Sequence, residues 1–470
     1  MINYFNIKEL SKNVFLLTND LGRFVFLSKR ELNAFLSGEI YDVPEFDDLK
    51  DRLSEHMFIL PDNTEAAIRL VKDEYLQKHS HLLSAPSLHI FVLTNMCNFN
   101  CVYCQAHSVK TSNLQKMTKQ TAESAVDIAL QSPEKYLTFE FQGGEPLTNY
   151  DVLKHIVLYT EQKNTWHDIT YTIVSNLTLL KKEQLIFLKE HNVRISTSLD
   201  GPESIHDQNR RYIGGGGTHK DVSTMMGYFR AIGENIGAIE TTTKYSLEKY
   251  KQIVDEYVSK GVSCIFLRPL TKLGKAIKNW DEIGYSSNAF VHFYQNALSY
   301  IIELSKSGID IREGHATLFL SNILARYHQN HMEFRSPCGG AIGQLAYNYD
   351  GKIYSCDEAR MIAEMGDETF CLGNVYHSSF DDIMNQKTTN LLVTSSTLES
   401  IPECCDCVYQ PYCGTCPVVN YSLYGSPIPR EANSFRCSVY KGMFDTIFRM
   451  LYEGNEDTID EFKKWINIGV

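Results

Sequence analysis

From residue 88 onward the chain alternates β-prone runs with amphipathic helical stretches, and no other feature restricts its fold as much. Strand-like runs fall at 88–93, 136–141, 169–174, 193–199, 236–243 and 264–267. Helical stretches at 119–130, 152–162, 181–190, 221–231 and 247–260 lie between them. Alternation of this kind packs as parallel strands joined by crossover helices. The region therefore predicts an α/β fold, a partial (β/α)6 TIM-type barrel. In such folds the chemistry gathers in loops after the C-terminal ends of strands. Cys97, Cys101 and Cys104 lie just past the first strand, where a site belongs.

Residues 1–85 predict a small, winged-helix-like α/β module. Runs at 14–19 and 23–27, joined by Asp20-Leu21-Gly22, read as a hairpin. Ser28 and Glu31 form a capping-box pattern opening a helix with Leu32, Phe35 and Leu36 on one face. Leu49 and Leu53 mark a second helix, and Ile68, Val71 and Tyr75 a third. The barrel is expected over 86–310, a bridging helical region over 311–336, a cysteine-rich module over 337–445 and a closing helix within 446–470. The module from 337 is rich in Gly, Cys, Tyr and Pro and poor in helical periodicity, so metal ligation would supply stability that a small core lacks. Glycines 214–217 read as a flexible loop.

Composition narrows the function. With 24 Phe and 27 Tyr the chain is built to bury a core. A net charge of −12 argues against a nucleic-acid partner. No run reaches the roughly 18 apolar residues of a membrane helix, and the opening MINYFNIKEL lacks a signal-peptide pattern, so a cytoplasmic setting without membrane attachment is expected. In that setting the 13 cysteines point to metal or catalysis rather than disulfides. Three sit at Cys97-x3-Cys101-x2-Cys104, Cys264 stands alone, and nine lie between Cys338 and Cys437.

Three thiolates on one short loop can bind three irons of a 4Fe–4S cube and leave the fourth open. A zinc knuckle with a distant fourth ligand is the alternative. The spacing, with Tyr103 before the last cysteine, resembles the radical S-adenosylmethionine (SAM) enzymes, and further motifs follow in family order. Gly143-Gly144-Glu145-Pro146 follows the second strand, Ser175-Asn176 the third, and Ser198-Leu199-Asp200-Gly201-Pro202 with Arg210 the fourth. The resemblance implies that Gly143, Gly144 and Glu145 hold the methionine amino group, that Ser175, Asn176 and Ser198 reach ribose, that Arg210 pairs with the methionine carboxylate, and that Tyr103 belongs to the same cofactor site. It implies an enzyme in which the reduced cluster cleaves SAM to a 5′-deoxyadenosyl radical that abstracts hydrogen from substrate. An external electron donor of the flavodoxin or ferredoxin type goes with that chemistry.

The rear pattern, Cys338, Gly351-x4-Cys356, Cys404-x2-Cys407-x5-Cys413-x2-Cys416 and Cys437, resembles the SPASM extension. Two residues separate Cys413 from Cys416 where that family usually has three. The resemblance implies two auxiliary 4Fe–4S clusters, one on Cys404, Cys407, Cys413 and Cys437, the other on Cys338, Cys356 and Cys416. Cys371, Cys405 or a substrate atom would complete the second set. Two zinc sites are the alternative, which the short gap between cysteine pairs disfavours. Asp357, directly after Cys356, is a candidate general base, against a plain solvated acidic pair with Glu358.

Two enzyme readings follow. The first is maturation of a ribosomally made precursor peptide docking on the N-terminal module, by a cross-link or another modification. The second is formylglycine formation on a sulfatase. The front module resembles leader-recognition domains, and the stretches 19–28 and 356–361 resemble maturases of His-Xaa-Ser peptide systems. Deleting residues before about Ser80 is then expected to weaken peptide binding and spare cofactor cleavage. A non-catalytic iron–sulfur or zinc scaffold is the reading of another class.

Overall fold

The computed structural model describes residues 1–106, 115–325, 332–428 and 434–468. Parts of the expected bridging, cysteine-rich and C-terminal stretches lie outside those residues. The front module is a three-stranded antiparallel sheet in the order β1 (Asn6–Ser11), β2 (Val14–Thr18), β3 (Phe24–Ser28). The expected hairpin forms, and β1 adds a strand that sequence reading missed. Ser28 and Glu31 make a full capping box at the helix Lys29–Ser37. Leu32 and Phe35 are buried there, but Leu36 is 59% exposed, because the apolar stripe is narrower than the spacing suggested. Helices Asp47–Glu55 and Thr64–Lys78 follow. On the last, Ile68 and Tyr75 face outward, and Ala67 and Lys78 are the buried residues.

Strand periodicity of two lets one strand serve two cores. On β2, Leu17 packs with Val25, Phe35 and Leu53 inside the module, whereas Leu16 turns the other way and joins a cluster containing Phe444 and Phe448. The ring of Phe24 meets that of Phe448 edge-on, centroids 5.4 Å apart. The front module therefore rests on the helix Phe435–Glu453 from the far end of the chain.

Among the described residues the main sheet has ten strands. Beyond β4 (Leu88–Val92) run β5 (Tyr136–Gln142), β6 (Asp168–Val174), β7 (Arg194–Ser198), β8 (Gly237–Thr241) and β9 (Cys264–Arg268), all parallel and in sequence order. A short β10 (Arg312–Glu313) extends this run past β9. On the other side of β4, β11 (Gln344–Tyr347) joins in parallel, followed by antiparallel β12 (Lys352–Tyr354) and β13 (Cys371–Asn374). The sheet is open, with β10 and β13 at its edges, and the cysteine-rich rear continues the sheet of the barrel region. His89 on β4 and Tyr347 on β11 seal that junction with a buried 2.9 Å hydrogen bond.

The rear is more helical than its composition suggested. Helices Asp357–Glu364, Lys387–Ser396, Pro417–Tyr424 and Phe435–Glu453 form there. Apolar residues of the first three share a core with β4 and β5, and those of Phe435–Glu453 pack in a second core with the front module, so metal is not their sole support. The closing helix Glu456–Trp465 docks through Trp465 Nε1, which donates to Ser305 Oγ at 3.1 Å. Glycines 214–217 form a closed turn in which Tyr212 N donates to Gly216 O and Gly215 N to Tyr212 O. A Cβ on Gly217 would strike the Asp207 carboxylate, which caps Thr218 N and His219 N.

Candidate active site

The first cysteine loop is held from three sides. Asn100 N and Val102 N donate to the carbonyls of Arg211 and Asn209, and Lys275 N donates to Cys104 O. Gly144 N and Glu145 N, past β5, donate to Thr94 O and Met96 O. A Cβ on Gly143 would stand 2.4 Å from Thr94 O, and one on Gly144 2.2 Å from Met96 O. These glycines let the β5 turn lie flat on the strand that leads into the cysteines. Burial pushes the Cys97 thiol well up and that of Cys101 to about 12. Without metal these two thiols keep their protons, and a metal must displace them.

Glu145 is buried, and its carboxylate accepts from Leu147 N at 3.0 Å, Ser175 Oγ at 2.8 Å and Asn176 N at 2.8 Å. It ties the end of β5 to the end of β6, and burial raises its pKa to about 7. Asn176 continues the line, donating to Asn98 Oδ1 at 2.8 Å. Ser198 ends β7, partly buried. Six of the expected cofactor positions, Gly143, Gly144, Glu145, Ser175, Asn176 and Ser198, thus lie at or just past the ends of neighbouring strands.

Sequence reading quoted Asp200 but gave it no role. It is fully buried, and Tyr103 OH (2.5 Å), Asn209 Nδ2 (3.1 Å) and Arg210 Nε (3.0 Å) donate to its Oδ2. Its Oδ1 accepts from Arg210 Nη2 at 3.2 Å and Thr241 N at 3.1 Å. Burial opposes the charge, but Arg210 foremost, with His206 and Tyr103, holds the carboxyl below its usual range. The Arg210 guanidinium lies 5.2 Å from the Tyr103 ring centroid, and its charge also reaches the Cys101 thiol. Asp200 thus orients the two side chains expected to meet the cofactor. Glu240 on β8, also buried, is pushed well above the usual carboxylate range by burial, with Asp200 adding to it.

Asp357 opens the helix Asp357–Glu364, whose N-cap is Cys356. Its carboxylate pairs with the fully buried Arg360. Arg360 also feels Cys104, and Asp357 acts on Glu140 of β5 and on Arg268 at the end of β9. Arg268 pairs with Glu333 at 3.2 Å. The Asp357–Arg360 pair therefore stands between the first cysteine loop and the rear cysteines.

The rear cysteines form two groups. Cys404, Cys407, Cys413 and Cys437 line one cavity of about 60 Å³ with Arg436, Tyr440 and Lys441. Cys338, Cys356 and Cys416 are one another's electrostatic neighbours, together with Glu358. Each of these three sulfurs accepts a backbone N–H, from Gly340, Ala359 and Val419 respectively, and Cys356 and Cys416 cap two packed helices. Such donors favour the thiolate that a metal needs. Cys371 begins β13 beside Lys352 and Glu368, and the Cys405 carbonyl faces the front module, accepting from Tyr4 OH and Asn6 Nδ2. Among the described residues no group of three or more His, Cys, Asp or Glu converges on a single-ion site. Soft sulfur donors bordering a cavity fit an iron–sulfur group.

Comparison with known proteins agrees with this geometry. The Radical SAM superfamily model matches residues 91–267, and the SPASM iron–sulfur cluster-binding domain matches 338–408. An uncharacterized protein of Methanocaldococcus jannaschii is 30% identical over 186 residues, which are 39% of this chain and 63% of that protein. A cysteine-type anaerobic sulfatase-maturating enzyme of Clostridium perfringens is 23% identical over 78% of this chain and 97% of its own length. The radical SAM cyclopropyl synthase TigE of Paramaledivibacter caminithermalis is 22% identical over 70% of this chain and 71% of its own. In fold, anSMEcpe with bound AdoMet superposes at a TM-score of 0.66 and 18% identity, over 80% of this chain and 99% of that one. Streptococcus suis SuiB bound to its precursor peptide SuiA gives 0.55 and 16%, over 92% of this chain and 99% of that one. No helix among the described residues is long and apolar enough to cross a membrane. The cofactors of these domains are SAM and 4Fe–4S clusters, and the chain carries a Radical SAM superfamily domain over residues 91–267 with a SPASM iron–sulfur cluster-binding domain over 338–408.

Proposed function

We propose that the protein is a cytoplasmic peptide maturase that binds a ribosomally made precursor through its front module and modifies one of its residues by hydrogen abstraction. The observation that carries this reading is the front module itself. The SuiB match leaves 8% of the chain uncovered, less than residues 1–85 occupy, so part of the front module is matched there. The anSMEcpe match leaves 20% uncovered, enough to omit the module entirely.

When bound, the first cluster and SAM supply reductive cleavage of the cofactor and the hydrogen-abstracting chemistry. Cys97, Cys101 and Cys104 would hold that cluster with one iron left for SAM. Gly143, Gly144, Glu145, Ser175, Asn176, Ser198, Tyr103 and Arg210 would seat the cofactor, with Asp200 orienting the last two. Asp357, held in place by its ion pair with Arg360, would take the proton released when the substrate is oxidised. Cys404, Cys407, Cys413 and Cys437 would hold one auxiliary cluster, and Cys338, Cys356 and Cys416 the other, with Glu358 or a substrate atom at its fourth position. A flavodoxin- or ferredoxin-type protein would deliver the electron.

Anaerobically reconstituted, dithionite-reduced protein should release 5′-deoxyadenosine from SAM, and Cys97→Ala should abolish that release. No release from the intact protein would leave only the scaffold reading. Incubation with peptides encoded by short open reading frames beside its gene should give a mass change in one of them. Sulfatase maturation is the second reading, favoured by the 97% coverage of the Clostridium perfringens enzyme; formylglycine formed on a sulfatase-derived cysteine peptide would establish it instead.

A further inference from the structure

Arg436 lies in the first turn of the helix Phe435–Glu453, directly before Cys437. It lines the cavity bordered by Cys404, Cys407, Cys413 and Cys437, and also a separate groove of about 230 Å³ formed with Arg268, Glu333 and Asn420. Its guanidinium packs on the Tyr440 ring, 4.7 Å from the centroid. Its Nε and Nη2 are buried and have no hydrogen-bond partner among the described residues. Its charge reaches Cys413 of the four-cysteine group and both Cys338 and Cys416 of the other. After Tyr440, the Glu333 carboxylate acts on it most strongly, and that carboxylate also pairs with Arg268.

A buried cation with idle donors is costly unless something anionic occupies the space they face. The two cysteine groups provide such occupants. A 4Fe–4S cluster with thiolate ligands is an anion that gains one more negative charge on reduction, and its potential follows net charge and hydrogen bonds to sulfur. Two anions side by side make each other harder to reduce, and a fixed cation between them offsets that repulsion. Arginine suits the place, because its planar fork stays charged when desolvated and presents donors in more than one direction.

We propose that Arg436, at the edge of the four-cysteine cavity, is the electrostatic bridge between the two auxiliary clusters and raises the reduction potentials of both. The proposal rests on the iron–sulfur assignment of the rear module and not on the identity of the substrate.

The test uses the full-length, anaerobically reconstituted protein. Iron and sulfide are counted first, and the clusters are then followed by electron paramagnetic resonance at a series of poised potentials. Arg436→Gln should shift both auxiliary signals to lower potential, leaving that of the Cys97–Cys101–Cys104 cluster in place. Arg436→Lys, which keeps the charge, should return both toward the wild-type values. Unmoved potentials in the Gln variant, or movement of one auxiliary cluster alone, overturn the bridge. If the Gln variant loses clusters, the Lys variant decides. Full cluster content with both potentials near wild type supports the charge, whereas equal loss assigns Arg436 to packing on Tyr440 and overturns the proposal. Sulfide-free wild-type protein would overturn the cluster assignment together with the bridge, and so reads differently from unmoved potentials.

Discussion

Asp200 shows how much of the site hangs on one carboxylate. Side chains of Tyr103, Asn209 and Arg210 and the backbone of Thr241 all donate to it, and it is fully buried. Asp200→Asn leaves Arg210 buried without its counter-charge, and removing one partner of a buried pair costs about 3–5 kcal/mol. Anaerobic thermal unfolding should register that loss, alongside weaker SAM binding. His89 makes a second residue-scale case. Burial foremost lowers its pKa to about 3, whereas the unfolded chain takes up the proton near pH 6.5. The folded value being the lower one, the stability this residue contributes is present above pH 6.5 and lost as pH falls toward 3. The loss should reach about 2 kcal/mol by pH 5, and His89→Gln should flatten it in an unfolding titration between pH 5 and 7.5. The sequence marked Tyr103 and Arg210 because they sit in motifs. It could not mark His89 or Arg436, whose significance comes from neighbours more than two hundred residues away or from a space that only the fold encloses.

At the scale of elements, the turn after β5 is the tightest joint in the site. A methyl group on Gly144 would push Met96 O, and with it the strand leading into Cys97. Displacements of about 1 Å in a reacting geometry cost on the order of 10²-fold in rate. Gly144→Ala should therefore retain the fold by circular dichroism and lose SAM cleavage by about that factor. The β–α alternation was legible because each strand is a contiguous run with its own period. The rear helices were not. Lys387–Ser396 and Pro417–Tyr424 are short, and their apolar partners lie on other elements. Periodicity within one segment carries little of that.

On the scale of the whole molecule, the front module is bolted to the segment that carries the four-cysteine group. Asn6 Nδ2 donates to the carbonyls of Cys405 and Cys407, Thr18 Oγ1 to Val408 O at 2.7 Å, and Tyr412 OH to Gly22 O at 3.0 Å. Lys8 reaches Asp445 at 2.6 Å. Deleting the module would strip these bonds and expose Phe444 and Phe448, so such a deletion is expected to disturb the rear module as well as peptide binding. A milder change is the better probe. Asn6→Ala with Thr18→Val should lower the iron bound by roughly one cluster, read by iron and sulfide analysis, with the first cluster retained.

The same clasp sets a timetable for synthesis. The front β-sheet leaves the ribosome with an apolar face whose cover, Phe444 and Phe448, emerges more than four hundred residues later. At about 5–20 residues per second that face waits between roughly 20 and 90 seconds in the open. A newborn chain of this protein is thus a client for whatever shields exposed apolar surface in the cell.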